Sequence, residues 1–303
     1  MPGLSGINGF FCINKPAGWT SADVVAVLRG ALCKATGEKV KVGHMGTLDP
    51  MASGVLVVAA GKATRLFDIL TDKKKGYVCS MKFGAETDTL DAEGTEVAQT
   101  GALPRVDELI SAMRGFIGDI YQLPPAFSAK SVNGVKAYKL ARAGREVTLK
   151  EALVHIYAIK LLKVNGSEKF LPQDEAREID FCVDCGSGTY IRSLCRDIAR
   201  KCNSLGTMTA LERIYSGNFR LEHAADIDSV RANALDYLIP LKKALEGMFP
   251  VVELGRDLRK KFTNGVAVPT QAEGDVLVTI EGKEYALARC AEGKMKAYIN
   301  LWV

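Results

Sequence analysis

Strand-like and helix-like hydrophobic patterns are mixed along this chain without a regular strand–helix–strand alternation. Residues 77–83 alternate between apolar and polar side chains, which predicts a strand. Residues 105–117 carry apolar side chains at helical spacing, and residues 179–185 alternate again before a second helical pattern begins at Ile191. A doubly wound parallel sheet requires a crossover helix between successive strands. The irregular order therefore favours the α+β fold class.

The length of 303 residues accommodates one large domain or two. Beyond Glu246 the sequence changes to short strand-like segments separated by glycine turns, such as Glu281-Gly282. We therefore expect a first domain over residues 1–246 and a small β-rich domain over residues 247–303.

Composition excludes several broad classes of protein. Hydrophobic residues make up 48% of the chain and charged residues 25%, which is ordinary for a globular protein. No run of 18 apolar residues occurs in the sequence, so no membrane span is expected. The first ten residues lack the basic start and the long apolar stretch of a secretion signal, so we expect a cytoplasmic protein.

Neither a metal nor a nucleotide cofactor is expected. Cys182 and Cys185 form a C-x-x-C pair, but no second such pair and no close histidine pair completes a zinc site. The eight cysteines are therefore interpreted as buried free thiols. Gly61-Lys62 lacks the upstream glycine of a P-loop, and residues 186–188 lack the third glycine of a dinucleotide fingerprint.

The net charge of +5 is small, but its placement is uneven. Residues 130–160 contain seven lysines and arginines against two glutamates, so this segment alone carries a charge equal to that of the whole chain. A focused basic patch attracts polyanions more strongly than the net charge suggests. A solvated surface without a ligand is the alternative interpretation. The cations considered for ligand contact are Lys130, Lys136, Lys139 and Arg142.

A glycine-rich loop directly precedes an apolar run. Residues 43–54 contain three glycines and the pair Asp49-Pro50, and the apolar run Val55–Ala60 predicts a buried strand. A carboxylate on a loop that a rigid scaffold presents is well placed to meet a ligand. Asp-Pro is also an ordinary turn initiator. From spacing alone, Asp49 is therefore no better a candidate for a functional carboxylate than the other acidic residues.

Five sequence motifs together resemble those of one known family. In chain order they are NKPAGWTS from Asn14, GHMGTLDPMASGVL from Gly43, KGY from Lys75 with GAETDTLDAEG after it, QLPPAFSA from Gln122 and GTYIRSL from Gly188. This set, in this order, is similar to that of the bacterial tRNA pseudouridine-55 synthases over residues 10 to about 215.

The resemblance implies a fold and an activity. It implies a pseudouridine synthase catalytic domain with a mixed, mainly antiparallel sheet, an RNA-gripping insertion at about residues 123–150, and a PUA-like RNA-binding domain at 247–303. The expected reaction isomerises the uridine at position 55 in the T-loop of tRNA. Uracil is detached from C1′, turned and rejoined through C5, which requires no cofactor. The tRNA T arm is the expected partner, the cations of the insertion would meet its phosphates, and a monomer is the expected state.

The resemblance also assigns the catalytic pair. Asp49 matches the catalytic aspartate of the family, and a carboxylate can act as a covalent nucleophile. Attack on the sugar, attack on the base and assistance through a glycal remain open. Arg192 is expected to pair with Asp49, because an opposite charge favours the ionised carboxylate.

Four further residues are implied to bind the substrate. A base inside a folded RNA arm must be flipped out before it can react, and an aromatic face can stack on it. Tyr77 is expected to stack on the uracil and is a candidate acceptor of the C5 proton. Tyr190 and Leu211 are expected to line the pocket, and His44 to occupy the space that the flipped nucleotide leaves.

Five positions depart from the residues usual in the family: Met45 and Ser53 replace threonine, Phe127 tyrosine, Ser131 lysine and Glu212 arginine. Two fewer cations near the RNA are expected to weaken binding or to shift the optimum salt concentration. The departures leave the assigned aspartate, tyrosines and arginine in place, so the activity is still expected.

Two other functions remain open at this point. One is a catalytic subunit of a guide-RNA-dependent particle that modifies rRNA. The other is a protein that binds or folds tRNA without catalysis. The intact set of Asp49, Tyr77 and Arg192 argues against the second alternative, because binding alone does not require the aspartate.

Overall fold

The computed structural model describes residues 6–71, 74–128, 130–132, 134–137, 140, 143 and 148–301. Within these residues the helices are α1 (Ser21–Thr36), α2 (Phe67–Thr71), α3 (Val106–Arg114), α4 (Ile191–Lys201), α5 (Ile227–Ala232), α6 (Leu241–Ala244) and α7 (Arg256–Thr263). The strands are β1 (Gly9–Lys15), β2 (Val42–His44), β3 (Ser53–Ala60), β4 (Lys75–Phe83), β5 (Ala85–Thr87), β6 (Glu96–Gln99), β7 (Gly118–Gln122), β8 (Ser131–Val132), β9 (Val135–Lys136), β10 (Ala152–Val164), β11 (Glu178–Cys185), β12 (Gly206–Ser216), β13 (Phe219–Arg220), β14 (Ile239–Pro240), β15 (Val251–Glu253), β16 (Val268–Pro269), β17 (Gly274–Ile280), β18 (Lys283–Ala291) and β19 (Lys294–Asn300).

The chain divides into two compact units. Unit 1 comprises Met1–Asp49, Val55–Thr71 and Asn218–Val303, and unit 2 comprises Pro50–Gly54 and Asp72–Gly217. None of the described helices combines the length and the apolar character that a membrane crossing requires. The domain boundary after residue 246 stays a prediction.

In unit 1, the strand β1 lies between β14 and β3, and β2 pairs with β3 in antiparallel orientation. Consecutive residues of β1 are buried, including Phe10 and Phe11, so both faces of this strand are covered. Helix α1 buries the side chains of Val24, Leu28 and Leu32, which recur at helical spacing. The apolar stripe therefore holds α1 against the interior of this unit.

The carboxy-terminal part of unit 1 has a sheet of its own. Its five strands are arranged in the order β15-β17-β18-β19-β16, and the pair β15–β17 is parallel while the others are antiparallel. Phe262 of α7 is completely buried in a hydrophobic cluster with Val276, Val278 and Tyr285. The β-rich character expected for this end of the chain is confirmed.

In unit 2, the strand order is β12-β4-β11-β10-β7, and every neighbouring pair is antiparallel. Alternate residues of β4 are buried on one face, as its sequence pattern predicted. Helix α4 packs against that face, where the Sγ atoms of Cys79 and Cys195 lie 3.5 Å apart. The α+β class with a mixed, mainly antiparallel sheet is confirmed.

Gly54 occupies a position in β3 that other residues tolerate poorly. Its φ of +99° lies in the left-handed region, and it pairs with Arg213 of β12 in parallel orientation. A Cβ atom added to Gly54 would lie 2.8 Å from Arg213 N and still closer to Arg213 O. The close approach of two backbones therefore requires glycine.

We predict that Gly54→Ala lowers the free energy of unfolding by about 2–4 kcal/mol, because it adds both backbone strain and a backbone clash. Urea unfolding followed by circular dichroism measures the effect. The matched control is Gly101→Ala, whose added Cβ meets no atom within 4 Å. Equal stability of the two variants would contradict the prediction.

Candidate active site

Asp49 lies in the loop between β2 and β3 and is partly buried. Two buried apolar side chains, those of Met45 and Leu48, anchor this loop. The N–H of Met45 donates a hydrogen bond of 2.7 Å to Val57 O, which fixes the start of the loop against β3. Asp49 directly follows the second anchor, so its backbone is held while its side chain stays partly accessible.

The segment from Asn14 to Ser21 forms a closed turn that leads into α1. The ammonium group of the fully buried Lys15 donates to the carbonyl oxygens of Pro16 at 2.9 Å and Trp19 at 2.7 Å. Thr20 then caps α1, because its hydroxyl accepts from Asp23 N–H and its own N–H donates to the Asp23 carboxylate. These bonds place Ser21 at the first position of the helix.

Ser21 connects this turn to the loop that carries Asp49. Its hydroxyl accepts a hydrogen bond of 2.9 Å from Leu48 N–H and donates one of 3.1 Å to Leu48 O. Ser21 is 3% exposed, so water competes little for these bonds. The first two motifs of the sequence thus meet in space, immediately before the predicted catalytic residue.

In unit 2, Arg192 lies in the first turn of α4 and is 5% exposed. Its Nη1 donates to Thr89 O at 2.9 Å, and its Nη2 donates to Phe127 O, also at 2.9 Å. Asp91 Oδ2 lies 3.4 Å from Nη1, and both side chains of this ion pair are buried. The predicted pairing of Arg192 with Asp49 stays a prediction.

Asp91 was missed in the sequence, although it lies within one of the five motifs. Its Oδ1 accepts hydrogen bonds from Thr89 Oγ1 at 2.6 Å and from Glu93 N–H at 3.1 Å, which leaves Oδ2 to face Arg192. A cation buried in this way is stabilised by an oriented carboxylate. The second acidic residue of the DTLDAEG stretch was the signal that could have identified it.

Gln122 ties the start of the predicted insertion to the start of α4. Its side-chain amide donates to Tyr190 O at 3.1 Å and accepts from Tyr190 N–H at 2.8 Å. Leu123 O accepts further bonds from Ser193 Oγ at 2.8 Å and from Arg196 Nη2 at 3.1 Å. The motifs that begin at Gln122 and Gly188 are therefore joined through backbone groups.

Tyr77 and Leu211 lie on the same face of neighbouring strands. The register sets Tyr77 opposite Arg213 and Cys79 opposite Leu211, so the two predicted pocket residues are diagonal neighbours. Arg213 is 1% exposed and is a buried cation that the sequence pattern did not single out. The contact of Tyr77 and Leu211 with uracil stays a prediction.

His44 and Tyr190 are partly buried, the first in β2 opposite Val58 and the second directly before α4. Of the cations predicted to meet RNA, Lys130 is partly buried, and Lys136 belongs to β9, which pairs with β8. Lys139 and Arg142 lie outside the described residues.

The residues that differ from those usual in the family make different kinds of contact. Met45 is buried in a hydrophobic cluster with Phe10 and Cys12, where an apolar side chain is suited. Phe127 contributes its carbonyl oxygen to Arg192, a contact that does not depend on a tyrosine hydroxyl. Glu212 lies opposite Ser53 in the parallel pairing of β12 with β3.

The eight cysteines are free, but the expectation that they are buried is wrong for Cys33, which is exposed, and for Cys182 and Cys202, which are partly buried. Cys182 and Cys185 are three residues apart on β11, so their side chains extend from opposite faces of the strand. Burial raises the pKa of the Cys185 thiol to about 11, which keeps it protonated at neutral pH. In the described part of the chain, no group of three or more metal-ligating side chains is arranged to hold an ion.

We predict that Asp91→Asn lowers the free energy of unfolding by about 3 kcal/mol, because it leaves the Arg192 guanidinium buried without its carboxylate. The control Asp107→Asn removes a carboxylate that pairs with Arg105 at 3.1 Å on the exposed surface, and should cost less than about 1 kcal/mol. Chemical denaturation measures both. Similar losses in the two variants would contradict a special role of the buried pair.

The chain has close relatives among known proteins. The model of the TruB family of pseudouridylate synthases, amino-terminal domain, matches residues 34–191. The tRNA pseudouridine synthase B of Clostridium kluyveri is 39% identical over 280 residues, which cover 92% of this chain and 91% of that protein. The protein of the same name from Thermobifida fusca is 38% identical, over 96% of this chain and 98% of its own length.

The fold also matches a solved structure. A chain in the crystal structure of a Cbf5–Nop10–Gar1 complex superposes with a TM-score of 0.67 at 27% sequence identity. The match covers 93% of this chain and 78% of that one. The similarity therefore spans nearly all of the chain.

Proposed function

The chain belongs to the TruB family of pseudouridylate synthases, and on that premise we propose that it isomerises the uridine at position 55 in the T-loop of tRNA. The observation that carries the proposal is the loop of residues 43–54, which holds Asp49 next to a buried, doubly hydrogen-bonded residue. The first two motifs meet at this loop in unit 1, and the other three meet at the start of α4 in unit 2.

The chemistry requires few groups beyond those present. The carboxylate of Asp49 attacks as the nucleophile, and the bond between C1′ and N1 of uracil breaks. C5 of the turned base then bonds to C1′, and the bond to the carboxylate breaks again, which regenerates Asp49. The C5 proton then passes to a base or to water, and Tyr77 is a candidate for its first acceptor. Because bonds are only exchanged within the nucleotide, no oxidant or external group enters the balance.

Arg192 is proposed to favour the ionised state of Asp49. Its guanidinium is already oriented by Thr89 O, Phe127 O and Asp91, so little reorganisation accompanies its pairing with a second carboxylate. An opposite charge beside a carboxylate favours its charged form.

The substrate base is proposed to bind on the face of unit 2 that carries Tyr77 and Leu211. An aromatic ring and an aliphatic side chain on adjacent strands provide an apolar surface for a flipped uracil. Tyr190 would complete this pocket from the start of α4, where Gln122 fixes its backbone. His44 would fill the space left in the RNA arm.

The T arm of tRNA is the proposed partner, gripped by the insertion at about residues 123–150 and by a PUA-like domain at residues 247–303. The insertion carries Lys130, Lys136, Lys139 and Arg142, whose charges suit phosphates. We expect the enzyme to act as a monomer in the cytoplasm and without a cofactor.

A guide-RNA-dependent activity on rRNA, which the sequence leaves open, is the second candidate, and it is compared with the first through the match to a chain of the Cbf5–Nop10–Gar1 complex. The identity of 27% to that chain is lower than the 38–39% to the two tRNA enzymes. The match covers 98% and 91% of the lengths of the two tRNA enzymes but 78% of the length of the Cbf5–Nop10–Gar1 chain. This difference also favours the first candidate.

We predict that the purified chain, without guide RNA, releases tritium from a T-arm minihelix labelled at C5 of the target uridine. Asp49→Asn should abolish release, because an amide is a far weaker nucleophile than a carboxylate. The control Asp68→Asn removes an exposed carboxylate of α2 and should leave the rate unchanged.

Release that persists in Asp49→Asn would exclude the assigned nucleophile. Release that appears only when a guide RNA and partner proteins are added would favour the second candidate. Tight RNA binding without release by the wild-type chain would identify a non-catalytic binding protein.

We predict that replacing Lys136, Lys139 and Arg142 together by glutamine weakens RNA binding and flattens its salt dependence. Each lost phosphate contact reduces the slope of log affinity against log salt by about 0.7–0.9, so the triple variant should lose about 2–3. Filter binding at a series of salt concentrations measures this slope.

The matched control replaces three exposed lysines outside the insertion, Lys34, Lys201 and Lys242, by glutamine. This variant has the same net charge as the first but should keep the wild-type slope. Equal slopes for the two triple variants would show that the insertion cations form a solvated surface and not a phosphate contact.

A further inference from the structure

The hydroxyl group of Ser21 is bonded twice to one residue that lies 27 positions away in sequence. It accepts from Leu48 N–H at 2.9 Å and donates to Leu48 O at 3.1 Å. Within the described residues, Ser21 is thus the partner of both backbone polar groups of Leu48. In an antiparallel sheet, the N–H and C=O groups of one residue bond to the backbone of a neighbouring strand. Here the Ser21 hydroxyl takes the place of that neighbouring backbone.

The two bonds restrict the backbone that leads into Asp49. Because the peptide group is planar, fixing Leu48 O also fixes the plane that ends at the Cα of Asp49. Fixing Leu48 N–H at the same time limits rotation about the Cα of Leu48. The residue after Asp49 is Pro50, which restricts Asp49 itself to extended backbone conformations. The carboxylate is then left with little more than its own side-chain rotation.

Ser21 is itself held rigidly. It is the first residue of α1, whose buried stripe of Val24, Leu28 and Leu32 fixes the helix to the interior of unit 1. The capping box formed by Thr20 and Asp23 secures the end of the helix at which Ser21 lies. A movement of Leu48 relative to α1 would therefore break two buried hydrogen bonds.

The hydroxyl of Ser21 is not required by the helix. Thr20 already caps α1, and alanine has a higher helix propensity than serine at helical positions. A buried hydroxyl that forms no cap is costly unless it finds partners. Its partners are the two backbone groups of the residue before Asp49, so the hydroxyl stabilises the loop and not the helix.

We propose that Ser21 is a positioning residue for the reaction, which acts by fixing the Leu48–Asp49 peptide so that the carboxylate meets the substrate in the productive geometry. This inference rests on the proposed function of Asp49. Effective nucleophilic attack requires the reacting atoms to be aligned at close range, and a displacement of about 1 Å can reduce the rate about 100-fold. Binding of the RNA, which is proposed to involve the insertion and the carboxy-terminal domain, should depend little on this alignment.

The test compares Ser21→Ala and Ser21→Thr in single-turnover tritium release from the labelled minihelix, with RNA affinity measured separately. Ser21→Ala should slow release about 10- to 100-fold while the dissociation constant changes by less than about twofold. Ser21→Thr keeps a hydroxyl at the same position and should recover most of the rate.

Ser204→Ala is the matched control. Ser204 is buried as deeply as Ser21, and its hydroxyl donates to a backbone carbonyl, that of Ala102, at 2.6 Å. Ser204 belongs to unit 2, and its partner Ala102 lies far from Asp49 in the sequence, so the loss of this hydroxyl should lower the melting temperature without slowing release. A rate for Ser21→Ala equal to that of Ser204→Ala would overturn the inference, as would no recovery in Ser21→Thr.

Hydrogen–deuterium exchange of Leu48 N–H separates this inference from the proposed function. If the wild-type chain releases no tritium, the proposed function fails. Faster exchange at Leu48 in Ser21→Ala would still support the inference that Ser21 fixes the backbone of the loop. Unchanged exchange in that variant would overturn it. Should Ser21→Ala fail to fold, Ser21→Cys, which keeps the side-chain volume and weakens the hydrogen bonds, is judged by the same rate and exchange criteria.

Discussion

The arrangement of Asp49 depends on hydrogen bonds between backbone groups and residues far away in the sequence. Ser21 holds Leu48, and Met45 is bonded to Val57 at the other end of the loop. After the loop, Gly54 brings β3 against β12 at a distance that only glycine permits. Three fixed points within about a dozen residues leave the loop little conformational freedom, so the entropy of ordering Asp49, the proposed nucleophile, is lost on folding and not during the reaction.

Unit 2 contains a buried positive charge, which contacts around the start of α4 stabilise. Arg192 is removed from water, which costs desolvation free energy. Asp91 and two carbonyl oxygens offset this desolvation free energy in place of solvent. One of these carbonyls belongs to Phe127, near the start of the predicted insertion. The same helix end is bonded to Gln122 through Tyr190. The orientation of the arginine and the attachment of the insertion are therefore secured by the same few contacts.

Much of the fold, and less of the site, could be predicted from the sequence. Periodicity predicted the strand at residues 77–83 and the helix within 105–117, because each pattern reports burial along one continuous element. The ion pair of Arg192 with Asp91 joins positions about a hundred residues apart, and no local pattern reports such a contact. Motif resemblance identified which segments matter. It did not say that Ser21 and Leu48 touch, since that follows only from how α1 packs beside the loop.

The departures from the family pattern show which constraints the fold enforces. Met45 and Phe127 replace residues with hydroxyl groups, yet the contacts found at these positions are apolar packing for the first and a backbone carbonyl for the second. Side chains can vary where the backbone supplies the bond. Ser21, Asp91 and Gln122 instead make their contacts through side-chain atoms, and replacing any of them would remove a hydrogen bond or an ion pair of a buried or partly buried group. The tolerance of this site to substitution is therefore governed by which atom makes each contact and not by distance from Asp49.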